Sequence, residues 1–215
     1  MDSSSITTLI FDLGEVVIDV NTRKTETAFL NLSKSKSQNF FSFSKQTEAF
    51  NLFEKGLITA NQFRSEIINE LGDDSISFEE FDFAWNAMLG NIPDKKKDIL
   101  LALKTKFKVY ALSNTNQIHI QKINQQLVLN NRDFLLEDLF HQAFYSFEIG
   151  QRKPDAEAFQ YVLDQTNTSP QNALMIDDRL ENLETAMALG MNVLHLKHPD
   201  EFYLHFKPNA EVTLP

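Results

Sequence analysis

Three short apolar runs in this chain each stop abruptly at polar or acidic residues. Ile6 to Phe11 runs into Asp12-Leu13-Gly14, Lys108 to Leu112 into Ser113-Asn114-Thr115-Asn116, and Ala173 to Ile176 into Asp177-Asp178. Brief apolar runs rich in β-branched residues and closed by turn formers are the pattern of buried strands. Gln142 to Tyr145 and Asn192 to Leu196 have the same character. Helical periodicity fills the gaps. Asp98 to Lys104 carries Ile99, Leu100 and Leu103, with Pro93 ahead as a start signal. Asp155 to Gln165 repeats apolar residues at Ala158, Phe159, Val162 and Leu163, one buried helical face. Leu180 to Leu189 does the same with Leu183, Ala186 and Met187, and Gly190 follows where a left-handed cap would sit. Alternating strands and helices predict an α/β fold, a Rossmann-like parallel sheet with helices on both faces. Such sheets bind ligands outside the carboxyl ends of their strands, so the polar residues ending three of these strands should meet in one crevice.

The segment from about Thr22 to Gly90 breaks the rhythm. It has helical patterns and no strand pattern, and it holds ten of the 19 Phe residues, with Trp85 after them. That much aromatic surface needs a packed interior of its own. Thr59 reads as the N-cap of a helix that buries Phe63, Ile67 and Leu71 and ends near Gly72. Ser77 with Glu80 reads as a capping box. The aromatic and polar run Asn39 to Ser44 is too short to count as low complexity. The expected organisation is a core formed by residues 1–20 and 91–215, with residues 21–90 inserted as a helical cap.

The overall balance excludes several functions. A net charge of -10 disfavours nucleic acid and anionic membrane surfaces, which need basic contacts. The absence of cysteine removes disulfides, thiolate catalysis and thiolate metal sites. No apolar run approaches the ~18 residues a membrane span needs, and Met1 to Thr8 lacks the basic start of a secretory signal. The expected location is cytoplasmic, with the oligomeric state open and a monomer sufficient.

Each polar cluster has a bland reading and a chemical one. Asp12 suits an Asx turn; it also suits a carboxylate nucleophile. Ser113-Asn114 suits the N-cap of a helix starting near Gln117; the same geometry offers a hydroxyl and backbone N–H groups to phosphate oxygens. Lys153 alone is an ordinary surface charge; beside Asp12 it would neutralise a phosphoryl group. Arg152 reads as a surface residue. Asp177-Asp178 is the sharpest signal, because adjacent carboxylates at a strand end repel unless a cation joins them, and Mg²⁺ takes few carboxylates plus phosphate oxygens. Asn182, one helical turn on, would orient the pair. The five histidines form no site; His195 and His198 straddle a strand end and a proline.

In this order the motifs resemble those of the haloacid dehalogenase (HAD) superfamily over nearly the whole chain. Asp12-Leu13-Gly14-Glu15-Val16 resembles its first motif, and Ser113, Lys153 and Asp177-Asp178 resemble the second, third and fourth. Phe53-Glu54-Lys55-Gly56-Leu57-Ile58-Thr59 looks like a turn of its α-helical caps. Within the superfamily the motifs are most similar to those of bacterial α-D-glucose-1-phosphate phosphatases. The resemblance implies a hydrolase of small phosphomonoesters, such as sugar phosphates, working through an aspartyl phosphate. It implies Asp12, Ser113 and Lys153 as catalytic residues, Ser113, Asn114 and Lys153 as phosphate-binding residues, and Mg²⁺ on Asp12, Asp177, Asp178 and the Gly14 carbonyl. One departure stands out. Most phosphatases of the superfamily carry a second aspartate, a general acid/base, where this chain has Gly14. A good leaving group, a cap side chain or Glu15 would then have to compensate. A 2-haloacid dehalogenase and a binding protein without turnover are the other activities that this fold and Gly14 admit.

Overall fold

The computed structural model describes residues 5–32, 48–130 and 134–214; the aromatic run 39–44 lies outside them. Five parallel strands form one sheet: β1 (Thr8–Phe11), β2 (Lys108–Ser113), β3 (Gln142–Tyr145), β4 (Ala173–Asp177) and β5 (Asn192–His195), in the order β3-β2-β1-β4-β5. β1 therefore lies at the centre, with Ile10 registered against Tyr110 on one side and Met175 on the other. Side chains alternate across a strand, and here both faces are covered. Leu9, Phe11, Val109, Leu174 and Ile176 pack with one set of helices. Ile10, Tyr110, Leu112 and Met175 pack with the other. Buried on both faces, the strands read as continuous apolar runs.

The first face is covered by α5 (Asp94–Leu103), α6 (Gln117–Asn130) and α10 (Phe202–His205), the second by α8 (Ala156–Thr166) and α9 (Leu180–Ala188). α5 begins four residues before the Asp98 expected from its apolar face, directly after Pro93. Its first turn is made by the lysine run, and Lys97 pairs with Asp94 at 2.7 Å. β1 begins at Thr8, not Ile6; Ile6 is buried but outside the ladder. Gly190 takes the expected left-handed conformation at φ 85°.

Among the described residues, four α-helices stand between β1 and α5: α1 (Thr22–Leu32), α2 (Glu48–Glu54), α3 (Ala60–Leu71) and α4 (Phe78–Trp85). The predicted N-cap at Thr59 and the predicted capping box at Ser77 both form, and Thr59 also makes a capping box, with Gln62. The Thr59 hydroxyl accepts from the Gln62 N–H, and Ser77 does the same for Glu80. These helices share an aromatic interior in which Phe53 stacks on Phe63 at 4.3 Å and Phe63 meets Trp85 edge-on at 4.9 Å. Ile118 of α6 joins that cluster, so the insertion leans on the core near the end of β2.

Candidate active site

The chain leaves β1, β2 and β4 on the same side of the sheet. Asp12 follows β1, Ser113 closes β2 and Asp177 closes β4. Because these strands are neighbours, their ends converge as the topology predicts. Oxygens of Asp12, Asp177 and Asp178 lie within 4.8 Å of one another. Lys153, expected as a cation beside Asp12, is almost wholly buried, with Nζ 2.9 Å from Asp12 Oδ1 and 2.6 Å from Asp177 Oδ2.

The three carboxylates are not equivalent. Asp177 accepts hydrogen bonds from Lys153 Nζ, from the Arg179 N–H at 2.9 Å and from Asn182 Nδ2 at 3.0 Å on each oxygen. Asn182 thus orients Asp177. No side chain among the described residues donates a hydrogen bond to the Asp178 carboxylate, in contrast to Asp177. Burial pushes the Asp178 carboxyl up to about 7, and repulsion from Asp12 and Asp177 adds to this. Asp12 is pushed up to about 6 by burial, with Lys153 opposing and Asp177 reinforcing. Burial also works against the charge on Lys153, but its two carboxylate partners overcome that, and its pKa is raised. One lysine against three acids leaves the centre short of positive charge. A divalent cation bound by oxygen donors suits that deficit, and the donor set fits Mg²⁺.

The loop after Asp12 is tightly held. The Leu13 carbonyl accepts from the Val17 and Ile18 N–H groups, and Glu15 N–H donates to the Ile18 carbonyl. The residue with positive φ is Glu15 (55°), not Gly14. The Glu15 carboxylate accepts from the Val20 N–H at 2.7 Å and so closes the loop. The Gly14 carbonyl takes no part in these loop hydrogen bonds, and a Cβ at this position would meet only Val20 Cγ2, at 3.7 Å.

At β2, the Ser113 hydroxyl has no partner among the described residues. The N-cap of α6 is not Ser113 or Asn114 but Asn116, whose Oδ1 accepts from the His119 N–H at 3.1 Å. Asn114 instead turns its side chain to Lys153. Its Oδ1 accepts from the Lys153 N–H at 2.8 Å and its Nδ2 donates to the Lys153 carbonyl at 2.7 Å. Arg152 is not a surface residue. Nη1 donates to Asn51 Oδ1 at 2.6 Å, and Nη2 stands 3.0 Å from Glu54 Oε2, both partners on α2. The sequence carried no sign of this, because it depends on where the insertion settles. A cavity of about 690 Å³ beside these groups is lined by Asn51, Leu52, Lys55, Lys153 and Arg179 among others. Of the two histidines considered as ligands, His195 places Nε2 2.9 Å from the Asp178 carbonyl. Among the described residues the three aspartates are the only acidic or histidine cluster of metal-binding geometry.

A doubly wound sheet with an acidic centre at the ends of its middle strands, and a buried lysine spanning two of the acids, defines a Rossmann-like α/β hydrolase. The chain belongs to the haloacid dehalogenase-like hydrolases, whose family model matches residues 6–190. It is similar to D-ribitol-5-phosphate phosphatase of Bacteroides thetaiotaomicron, 26% identical over 185 residues that cover 86% of this chain and 89% of that protein. It is also similar to a HAD family enzyme of Bacteroides thetaiotaomicron solved as an aspartate-to-alanine variant with magnesium and inorganic phosphate. That likeness has a TM-score of 0.80 and 33% identity, and covers 90% of this chain and 95% of the other. A HAD-like family hydrolase of Porphyromonas gingivalis shares the fold, with a TM-score of 0.79 at 23% identity over 89% of this chain and 91% of that one. Among the described residues no helix is long and apolar enough to cross a membrane.

Proposed function

We propose that this hydrolase is a Mg²⁺-dependent phosphatase of small phosphomonoesters, phosphorylated sugars or alditols, with Asp12 as nucleophile. The observation that carries the reading is Lys153 Nζ between Asp12 and Asp177 at 2.9 and 2.6 Å, with Asp178 completing an acidic trio. Asp12, Asp178 and the Gly14 carbonyl would hold Mg²⁺, with Asp177 beside them. The bound ion would neutralise phosphoryl oxygens and hold Asp12 ionised at neutral pH. Three acids gathered within 4.8 Å, with Lys153 as their one close cation among the described residues, favour this reading over a metal-free dehalogenase.

In the first half-reaction an Asp12 oxygen attacks phosphorus and the ester P–O bond breaks. Lys153 Nζ, the Ser113 hydroxyl and backbone N–H groups at Asn114 hold the phosphoryl oxygens while charge shifts to the leaving oxygen. That oxygen takes its proton from solvent, because position 14 has no carboxyl. In the second half-reaction water cleaves the aspartyl phosphate and returns Asp12 to its carboxylate. The alcohol portion of the substrate has room in the cavity beside Arg179 and Lys55, under α2. Residues 21–90 act as the cap that closes this space, over a core of residues 1–20 and 91–215. A cap of this kind excludes water and selects the alcohol. Glucose 1-phosphate, with an anomeric leaving group, and ribitol 5-phosphate, with a primary alkoxide, are the two substrates to compare first. The test is phosphate release from a phosphomonoester panel, with Mg²⁺ and with chelator. Release that needs Mg²⁺ supports the reading; no release from any ester overturns it.

A further inference from the structure

We propose that Arg152 is a positioning residue for the reaction. It ties α2 of the insertion to the backbone that carries Lys153, so that seating the insertion fixes the lysine against Asp12. The inference rests on Lys153 acting at the phosphoryl group as set out above. Three sets of contacts meet in two consecutive residues. The Arg152 guanidinium donates to Asn51 Oδ1 at 2.6 Å and stands 3.0 Å from Glu54 Oε2. The Lys153 peptide is held on both sides by the Asn114 amide, at 2.8 and 2.7 Å. The Lys153 ammonium is held by Asp12 and Asp177. A displacement of α2 is therefore felt at the residue beside the lysine.

The pair is buried enough to matter. The Arg152 side chain is 16% exposed and that of Glu54 is 10%. Exposed pairs of this kind contribute little, whereas a buried charge that loses its partner has no water to replace it. A second contact reinforces the tie. Gly56, at φ 67°, packs so closely that a Cβ there would lie 2.0 Å from the Phe147 carbonyl oxygen. Phe147 belongs to α7 (Ser146–Ile149), a few residues ahead of Arg152. The turn after α2 thus grips the same stretch of core, residues 146–153, at two points. In the sequence Glu54 reads as part of a cap turn and Arg152 as a surface charge, 98 residues apart by number.

A residue that only touches substrate would act on KM. A residue that aligns the lysine should act on kcat, because misplacement of a catalytic group by ~1 Å can cost about 10²-fold in rate. The experiment measures kcat and KM for p-nitrophenyl phosphate with Mg²⁺ in the full chain. Arg152→Met and Glu54→Gln should each lower kcat, Arg152→Met by about 10²-fold, with KM little changed. The double variant should fall no further than Arg152→Met alone, because coupled residues are not additive. Arg152→Lys, which keeps the charge without the fork that reaches Asn51, should recover part of the loss. It carries the test where Arg152→Met is recovered unfolded. Arg64→Met cuts the Arg64–Asp82 pair, which stands at 2.7 Å within the insertion, and should leave kcat unchanged. Full kcat in the Arg152 variants, a rise in KM alone, or additive losses in the double variant would each overturn the proposal while the wild type stays active. A wild type that hydrolyses no phosphomonoester would overturn the phosphatase reading and this inference with it.

Discussion

Replacing Lys153 by Met removes the one positive charge held between Asp12 and Asp177 while nearly preserving volume. The lysine is 2% exposed and contacts the two acids at 2.9 and 2.6 Å, so water cannot take its place. Breaking a buried pair on one side typically costs ~3–5 kcal/mol. That is a large part of the ~5–15 kcal/mol that holds a domain folded. Here the loss has a built-in limit. Asp12 is already pushed up to about 6 with the lysine present, and without it the carboxyl is pushed higher. The sign follows from linkage. A carboxyl whose folded pKa lies above its unfolded value binds the proton more tightly when folded, so its stabilising contribution is lost as pH rises. The gap in stability between wild type and Lys153→Met should therefore be largest near pH 8 and shrink toward pH 5. Urea denaturation followed by far-UV circular dichroism and by the fluorescence of Trp85, buried at 1% exposure, measures this. A loss under ~1 kcal/mol at pH 8 would refute the claim that the lysine neutralises the acidic trio. So would a loss that grows on acidification.

Other consequences can be checked on the same protein. Asp12→Asn should abolish turnover of every phosphomonoester while leaving the circular dichroism spectrum unchanged; turnover above the enzyme-free control would remove Asp12 as nucleophile. Gly14→Asp fits, since its Cβ would meet only Val20 Cγ2 at 3.7 Å. If that carboxyl protonates the leaving oxygen, hydrolysis of alkyl phosphates should rise by about 10²–10⁴-fold while aryl phosphates change little. An unaltered dependence of rate on leaving-group acidity would show that proton supply is not what Gly14 costs. Burial pushes the Glu54 carboxyl from 4.5 up to about 7, against the pull of Arg152 and Arg179. Its folded pKa is raised, so stability should decline from pH 5 to pH 8 by about 3 kcal/mol on its account. Glu54→Gln should flatten that slope, and equal slopes in denaturant titrations of the two proteins would refute it.

The middle of the sheet was legible in the sequence because β1, β2 and β4 are buried almost throughout and end at polar residues the fold must bring together. The same pattern marked Asp12, Ser113 and Asp177-Asp178, whose place at strand ends follows from topology alone. Thr59 and Ser77 announced their helices because a capping box is local. Contacts that depend on where the insertion rests were not legible. Arg152 and Glu54 carry no periodic signal, and Asn114 spends its side chain on Lys153. Lys96 is another case. It stands in a run of three lysines, yet it is 1% exposed. Nζ donates to the Val16 carbonyl at 2.7 Å and lies 5.1 Å from the centre of the Phe202 ring. It braces the loop that follows Asp12, and only the packing of α10 reveals it.

The unequal treatment of the three acids bears on what Gly14 does. Asp177 is engaged by the lysine, Asn182 and a backbone N–H, so its charge is already met within the protein. Asp12 and Asp178, both pushed toward neutrality, carry the unmet demand for positive charge. A fourth carboxylate at position 14 would bring general acid help but add its charge to a centre that one lysine already underfills. Repulsion would push Asp12 further toward its protonated form, which cannot attack phosphorus. On the proposed mechanism, a glycine there would give up proton transfer and keep Asp12 more fully ionised. The trade favours esters whose alcohols leave without assistance, which makes the glucose 1-phosphate to ribitol 5-phosphate rate ratio the quantity that Gly14→Asp should lower.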